Sequence, residues 1–500
     1  MRRRFRRWTC GAASVRQVDD GRHRLPGITA DRWAAVKSHK YDGEETVNLE
    51  ERWTSSRLLA LIVRNTHLTE ATLIEKGVVD IYFSFLASPA AETVRGGCRP
   101  GASHIMKLLP APLAPPTALH WALAAVWTCC LWHLARSFQQ VCYLVAPVNS
   151  SDALPIASVD VRLCSHVIMG FGTVEEDGSV NLDALGGPQT LASLATLRKR
   201  RPDLKLMISV GGGGGDGNFR TMVSGADSRW RFIASAVSAL RAARLDGLDI
   251  DWEFPKLMDA RRFARLLKAA SVEFKKDAQW PLLLSVAVPA QSLLVIGAYD
   301  VQAMARSVDF VNLMTYDLNI YNWYTPWVRH NSPLLSSAND PPYFNTLNVE
   351  SSAKLWATLG MPKSKIMVGI PTYGLSWVLR DPDRWQVGSL ASGRDQYGGG
   401  FVSYTQVCAL LENGAQREYD AEAMVPFLHK GKLWVSYDDQ QSVALKASWT
   451  ERSGYGGTMT FSLNSDDWAG ACGDGPFPLQ RSIVGAVSEE QPMVDRVAKP

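Results

Sequence analysis

Few of the usual signals for metals, nucleic acid or membranes occur in this chain. Its eight cysteines include no Cys-x-x-Cys pair, so neither a zinc site nor a redox dithiol is implied. Its nine histidines include no His-x-x-x-His pair. No metal and no cofactor is therefore expected. The formal net charge of +4 is too small to point to nucleic acid, and none is expected as a partner. Arg2 to Arg7 is only a local basic run. The apolar stretch Leu119–Leu134 is about 16 residues long, short of the ~20 that a membrane span needs. At 500 residues the chain has room for more than one domain.

That apolar stretch follows Met106-Lys107, and a short basic start before such a run reads as a secretory signal peptide. Two readings stay open. In one, the natural protein starts at Met106, residues 1–105 are an upstream extension of the reading frame, and the mature chain begins near Ser137. In the other, segment 117–134 is an uncleaved signal anchor and the protein is held at a membrane. Residues 1–105 are polar and basic, and read as a poorly ordered extension. The tail 485–500 is polar and reads the same way.

The most informative stretch is Leu245 to Pro255. In a strand, side chains alternate between faces, so Asp249, Asp251 and Glu253 share one face while Leu248, Ile250 and Trp252 share the other. An acidic stripe backed by an apolar stripe is costly unless the acids pair, share protons or meet a ligand. Phe254-Pro255 ends the strand, which places Glu253 near its C-terminal end. A solvated acidic strand would not carry bulky apolar residues at every alternate position. A divalent-metal site would want further hard ligands from other strands, and no second acidic cluster has comparable spacing. Acid catalysis by Glu253, with Asp249 and Asp251 behind it, is the sharper reading.

From Gln140 onward, apolar strands alternate with amphipathic helices. The strands are Val141–Val145, Ser165–Phe171, Lys205–Gly211, the acidic stretch, Leu282–Val288, Phe310–Tyr316, Ile366–Pro371 and Gly457–Phe461. Ser228–Arg244 and Asp259–Lys275 are the clearest helices, with apolar residues at three- and four-residue spacing. Eight such repeats imply an α/β fold, a (β/α)8 barrel whose chemistry sits at the C-terminal strand ends. Residues 375–453 are far too long for an ordinary loop between strands 7 and 8 and should carry structure of their own.

The run Asp246-Gly247-Leu248-Asp249-Ile250-Asp251-Trp252-Glu253 resembles the active-site signature of glycoside hydrolase family 18, the chitinases and chitinase-like proteins. Ser209-Val210-Gly211-Gly212, Met314-Thr315-Tyr316-Asp317, His330 to Leu334, Gly369 to Gly374 and Trp434 to Asp439 also resemble family segments. The resemblance covers about Gln140 to Ile483 and implies a TIM barrel spanning 137–484, with a small α+β insertion between strands 7 and 8 forming one wall of the groove.

It further implies a secreted endo-acting hydrolase of β-1,4-linked N-acetylglucosamine, using a retaining, substrate-assisted mechanism without a cofactor. Glu253 would be general acid and base. Asp251 would orient the substrate's acetamide and share a proton with Asp249, and Tyr316 would hold the acetamido oxygen. Tyr143, Phe171, Gly212, Asp246, Met314, Asp317, Tyr373 and Phe461 would bind substrate. The resemblance also implies bridges Cys142–Cys164 and Cys408–Cys472, which fit an oxidising compartment. Removing 1–136 would leave only these four cysteines. Asn149-Ser150-Ser151 is a candidate glycosylation site, and a monomer is expected.

This sequence departs from the family pattern around the groove. Val145 to Val148, Gly213 to Gly215, Leu375 and Phe461 stand where aromatic residues or, at Leu375, an arginine are usual. Tyr143, Phe171 and the aromatic loop Tyr321 to Trp327 remain. No Cys-rich binding module follows the barrel. The alternative is therefore a chitinase-like lectin that binds chitin or related glycans without turnover; a relative acting on N-glycan cores fits less well.

Overall fold

Eight parallel strands close on themselves in the computed structural model, which describes residues 138–488 apart from 147–153, 215–216, 339 and 395–399. Barrel strands 1 to 8 are Gln139–Val145, His166–Val174, Lys205–Gly211, Gly247–Asp251, Leu283–Pro289, Phe310–Met314, Ile366–Pro371 and Gly457–Phe461. Each pairs with its sequence neighbour, and strand 1 pairs with both strand 2 and strand 8, which completes the ring. The expected (β/α)8 barrel is the fold; strands 3, 7 and 8 have the expected limits, and strands 1, 2, 5 and 6 differ from theirs by one to three residues. The predicted leader, the candidate glycosylation site at Asn149 and the tail beyond Ser488 lie outside the described residues.

Side-chain alternation explains the layering. Leu248, Ile250 and Trp252 face outward into the layer between strands and helices. There Trp252 stacks on Phe219 at 5.4 Å and meets Phe263 edge-on at 5.5 Å. The inward layer is smaller and includes Val141, Ile168, Met207, Phe310 and Met459. Helices Ala226–Ala242 and Ala260–Phe274 fall where the apolar spacing puts them. They bury Phe232, Ile233, Ala236 and Leu240, and Phe263, Leu266, Leu267 and Phe274.

The insertion has different limits from those expected. Strand Tyr373–Leu379 opens a second, antiparallel sheet that ends with strand Leu433–Ser436, and helix Tyr404–Glu412 packs on it. The insertion is thus about 373–436, not 375–453. Helix Gln440–Arg452 belongs to the barrel, because Val443 and Ala447 pack against Ile370 of strand 7 and against Leu479 and Ile483. Those last two residues lie on helix Pro478–Ser488, which carries the domain past the expected limit at 484. A buried ion pair fixes this corner: Lys446 Nζ donates to both Asp438 oxygens at 2.6 and 2.7 Å, and to Ser332 Oγ at 3.0 Å.

Both expected disulfides are present. Cys142–Cys164 ties strand 1 to the segment before strand 2, and Cys408–Cys472 ties the insertion helix to the segment after strand 8. The second closes a separation of 64 residues, and in the loop-entropy model a closure of this length stabilises by about 4 kcal/mol. Replacing both Cys408 and Cys472 by serine should lower stability by roughly that amount, read by denaturant unfolding, with the barrel's circular dichroism retained in water.

Candidate active site

The acidic stripe points into the barrel and ends at its mouth. Asp249 is fully buried, and both its oxygens are occupied. Oδ2 accepts from the Tyr143 hydroxyl and from Ser209 Oγ, each at 2.7 Å. Oδ1 accepts from Ser285 Oγ at 2.7 Å and from Asn312 Nδ2 at 3.1 Å. These partners come from strands 1, 3, 5 and 6. Burial raises the Asp249 carboxyl, and the hydrogen bonds from Ser209, Ser285, Tyr143 and Asn312 oppose that rise. A carboxyl that only accepts is satisfied as the anion.

Asp251 is the next inward residue, 3% exposed, and its Oδ1 has no hydrogen-bond partner. Its pKa is well above the usual carboxylate range, first through burial and then through the charges of Glu253 and Asp249. Two neighbouring carboxylates resist joint ionisation. Asp249 has four donors to offset its burial and Asp251 Oδ1 has none, so the rise is the greater at Asp251. Both Asp249 oxygens are engaged by other groups, and no hydrogen bond joins Asp249 and Asp251 among the described residues.

Glu253 lies two residues past the end of strand 4, half-buried at the cleft. A Cβ on Gly213 would sit 4.0 Å from each of its carboxylate oxygens, so bare backbone of the Gly-rich loop lines its approach. Burial and then the charge of Asp317 push its pKa up to about 7. Glu253 therefore still holds a proton near neutrality, as a general acid must.

Tyr316, Tyr373, Phe171 and Phe461 gather above the acid row. Tyr316 stacks on Phe461 at 5.7 Å and meets Tyr373 edge-on at 5.9 Å, and Met314 belongs to the same cluster. Tyr373 donates its hydroxyl to Asp317 Oδ1 at 2.6 Å. Asp317 opens onto the cleft. The surrounding protein raises its carboxyl, while the Tyr373 hydroxyl and Arg394 draw it down. Gly212 has a φ of +83°, and a Cβ there would lie 2.9 Å from the Phe171 ring, so a larger residue would displace that ring. A cleft of about 310 Å³ runs from this cluster to the insertion, lined by Asp317, Tyr373, Leu375, Arg394, Phe401 and Phe461 among others. A larger hollow of about 610 Å³, between Leu257, Tyr299 and Leu359, contains none of the acid row.

Two expected ligand contacts are placed elsewhere. Asp246 stands at the opposite end of strand 4, where it pairs with Arg198 at 2.5 Å and accepts from the Leu206 N–H at 2.7 Å. It braces the floor of the barrel, away from the mouth. Tyr143 is 1% exposed and lies beneath Phe171 and Phe461. It offers no face to a ligand and serves as a donor to Asp249. Sequence reading missed Ser209, Ser285 and Asn312 as carboxylate donors. A readable signal was present: each is a polar residue at an inward position of an otherwise apolar strand. Arg394, on strand Ala391–Arg394 of the insertion, had no such signal.

Residues 139–466 match the family model described as Glycosyl hydrolases, family 18. The chain belongs to this family. Its relatives include chitotriosidase-1 of Mus musculus, 33% identical over 384 residues that cover 72% of this chain and 81% of the mouse protein. Family members with solved structures lie on both sides of the question of turnover. Human YKL-39, described as a pseudo-chitinase with retained chitooligosaccharide binding, superposes with a TM-score of 0.67 at 31% identity, over 71% of this chain and 100% of the human one. The immunomodulatory active chitinase of Trichuris suis superposes with a TM-score of 0.65 at 31% identity, over 70% of this chain and 100% of that one.

Two outcomes follow from the carboxylate environments. Asp249→Asn would turn an amide N–H₂ toward groups that are themselves donors, so unfolding should become easier by on the order of 2–3 kcal/mol. For Glu253, a folded pKa of about 7 against an ordinary 4.5 means that the folded state holds the proton more tightly. Its relative stabilisation is complete below pH 4.5 and is lost as pH rises through 7. Glu253→Gln does not titrate, so it should match the parent in thermal melts at low pH and exceed it above neutrality, by up to about 3 kcal/mol, less what solvent screening removes.

Proposed function

We propose that this protein is a retaining, substrate-assisted hydrolase of β-1,4-linked N-acetylglucosamine polymers. The observation that carries this reading is one inward acid row: Asp249 buried beneath four donors, Asp251 above it with its carboxyl raised by burial and the neighbouring acids, and Glu253 at the cleft with a pKa pushed up to about 7. Most glycosidases set two carboxylates across the scissile bond. Here the acids lie in line on one strand, which suits a reaction whose nucleophile comes from the substrate.

Glu253 donates its proton to the leaving glycosidic oxygen. The acetamido oxygen of the same sugar attacks that sugar's anomeric carbon as the bond to the leaving oxygen breaks, and closes an oxazolinium ring. Asp251 orients the acetamide N–H and balances the positive charge that develops on the ring. Tyr316 holds the acetamido oxygen, and Asp317 and Tyr373 contact the sugar. Water, deprotonated by Glu253, then opens the ring with retention. Phe171 and Phe461 offer ring faces to pyranoses.

Two disulfides favour a secreted protein in an oxidising compartment. Among the described residues, no helix is long and apolar enough to cross a membrane.

A second reading is favoured by the groove itself. Leu375 is apolar, and Phe461 has no ring N–H. A lectin that binds chitooligosaccharides without turnover needs only such a groove. Hydrolysis of chitin oligomers by the parent, with a loss of at least ~10² in Glu253→Gln, supports the hydrolase. Its rate should fall as pH rises through about 7, because the acid form is consumed. Oligosaccharide binding with no turnover in either protein supports the lectin.

A further inference from the structure

Asp317 faces Glu253 from a strained position. Its φ is +53°, a conformation that L residues with a side chain adopt at a cost, so something must hold it there. Asn331 does so with two hydrogen bonds: the Asp317 N–H donates to Asn331 Oδ1 at 2.8 Å, and the Leu318 N–H donates to the Asn331 carbonyl at 3.1 Å. Asn331 is 1% exposed, so water does not compete for these bonds.

The other contacts of Asn331 go to the insertion. Its N–H donates to Ser436 Oγ at 2.8 Å, and its Nδ2 donates to the Tyr373 carbonyl at 3.4 Å. Ser436 is the last residue of the insertion's final strand, and Tyr373 is the first residue of its first. One buried amide thus touches the entry and the exit of the insertion while it clamps Asp317. Tyr373 closes the loop by donating its hydroxyl to the Asp317 carboxylate. The adjoining Ser332 hydroxyl donates to the Thr315 carbonyl at 2.6 Å and receives Lys446, which fixes the segment from its other side.

We propose that Asn331 is a positioning residue that sets the distance of Asp317 from Glu253 and links it to the seating of the insertion. The groups facing Glu253 are Asp251 from its own strand, Asp317 and Tyr316 from beyond strand 6, Tyr373 from the insertion and Tyr299 from behind, with Arg394 acting on Asp317. Among these, Asn331 holds Asp317 and Tyr373 through their backbones, Asp317 by the shorter bond, 2.8 Å against 3.4 Å. Losing the clamp releases Asp317 from its strained φ and carries its negative charge away from Glu253, which then gives up its proton at lower pH. The consequence for catalysis rests on the hydrolase reading; the positioning does not.

The test is a carbon-13 NMR titration of Glu253 in the full chain labelled at glutamate Cδ, with the resonance assigned by its loss in Glu253→Gln. Asn331→Ala and Asp317→Asn should each move the Glu253 midpoint to lower pH, and the double variant should move it no further than Asp317→Asn alone. Ser436→Ala, a milder change should Asn331→Ala not fold, should give a smaller shift in the same direction. Shifts that add in the double variant, or a Glu253 midpoint unmoved in folded Asn331→Ala or folded Ser436→Ala, would overturn the proposal. The titration needs no turnover, so an inactive parent that shows these shifts would remove the hydrolase reading and leave the clamp standing. In an active parent, the alkaline limb of the rate profile should move with the NMR midpoint.

Discussion

A carboxylate inside a closed barrel has no water to meet it, so the protein must supply every partner. Asp249 is that carboxylate, and its four donors come from strands 1, 3, 5 and 6. Each donor must be inward at the right level of its strand, which ties the register of half the barrel to one side chain. The rest of the acid row depends on this anchoring. Four donors offset the burial of Asp249, none reaches Asp251 Oδ1, and Glu253 at the mouth is pushed up by burial and by Asp317. Burial and donor count thus give three carboxyls on one strand three different environments.

The insertion affects the same row from the other side. It supplies Tyr373, whose hydroxyl holds Asp317, and Arg394, whose charge acts on it. A wall that shapes the cleft thus also contributes to the electrostatics of the acid. The buried Lys446–Asp438 pair is part of that attachment. Such pairs are weak contributors to stability but strict about geometry, which is what a joint between two sheets requires.

Much of this was legible in the sequence, for a physical reason: a period-two pattern states which face each residue takes. That pattern gives the eight strands and sets Asp249, Asp251 and Glu253 on one face. The two disulfides came from resemblance, and the structure contains both. What was not legible depended on contacts between strands. Asp246 has the same local signature as its neighbours but lies at the other end of the strand, where Arg198 claims it. Tyr143 is aromatic and near the mouth, but its depth beneath two other rings is a tertiary fact. The end of the insertion was misplaced because helix Gln440–Arg452 follows the last insertion strand almost at once, and only packing against Ile370 assigns it to the barrel.

The insertion leaves the barrel at Tyr373 and returns at Ser436, and its two ends are close neighbours: a Cβ on Gly374 would lie 2.6 Å from the Ser436 carbonyl. A segment whose ends nearly touch places no demand on the register of the strands it interrupts. Its length and lining can therefore change over evolutionary time while the ring of strands, and the acid row inside it, stays as it is. Of the departures from the family pattern, Leu375 lies on this wall and Phe461 on barrel strand 8, so the wall's independence covers the first and not the second.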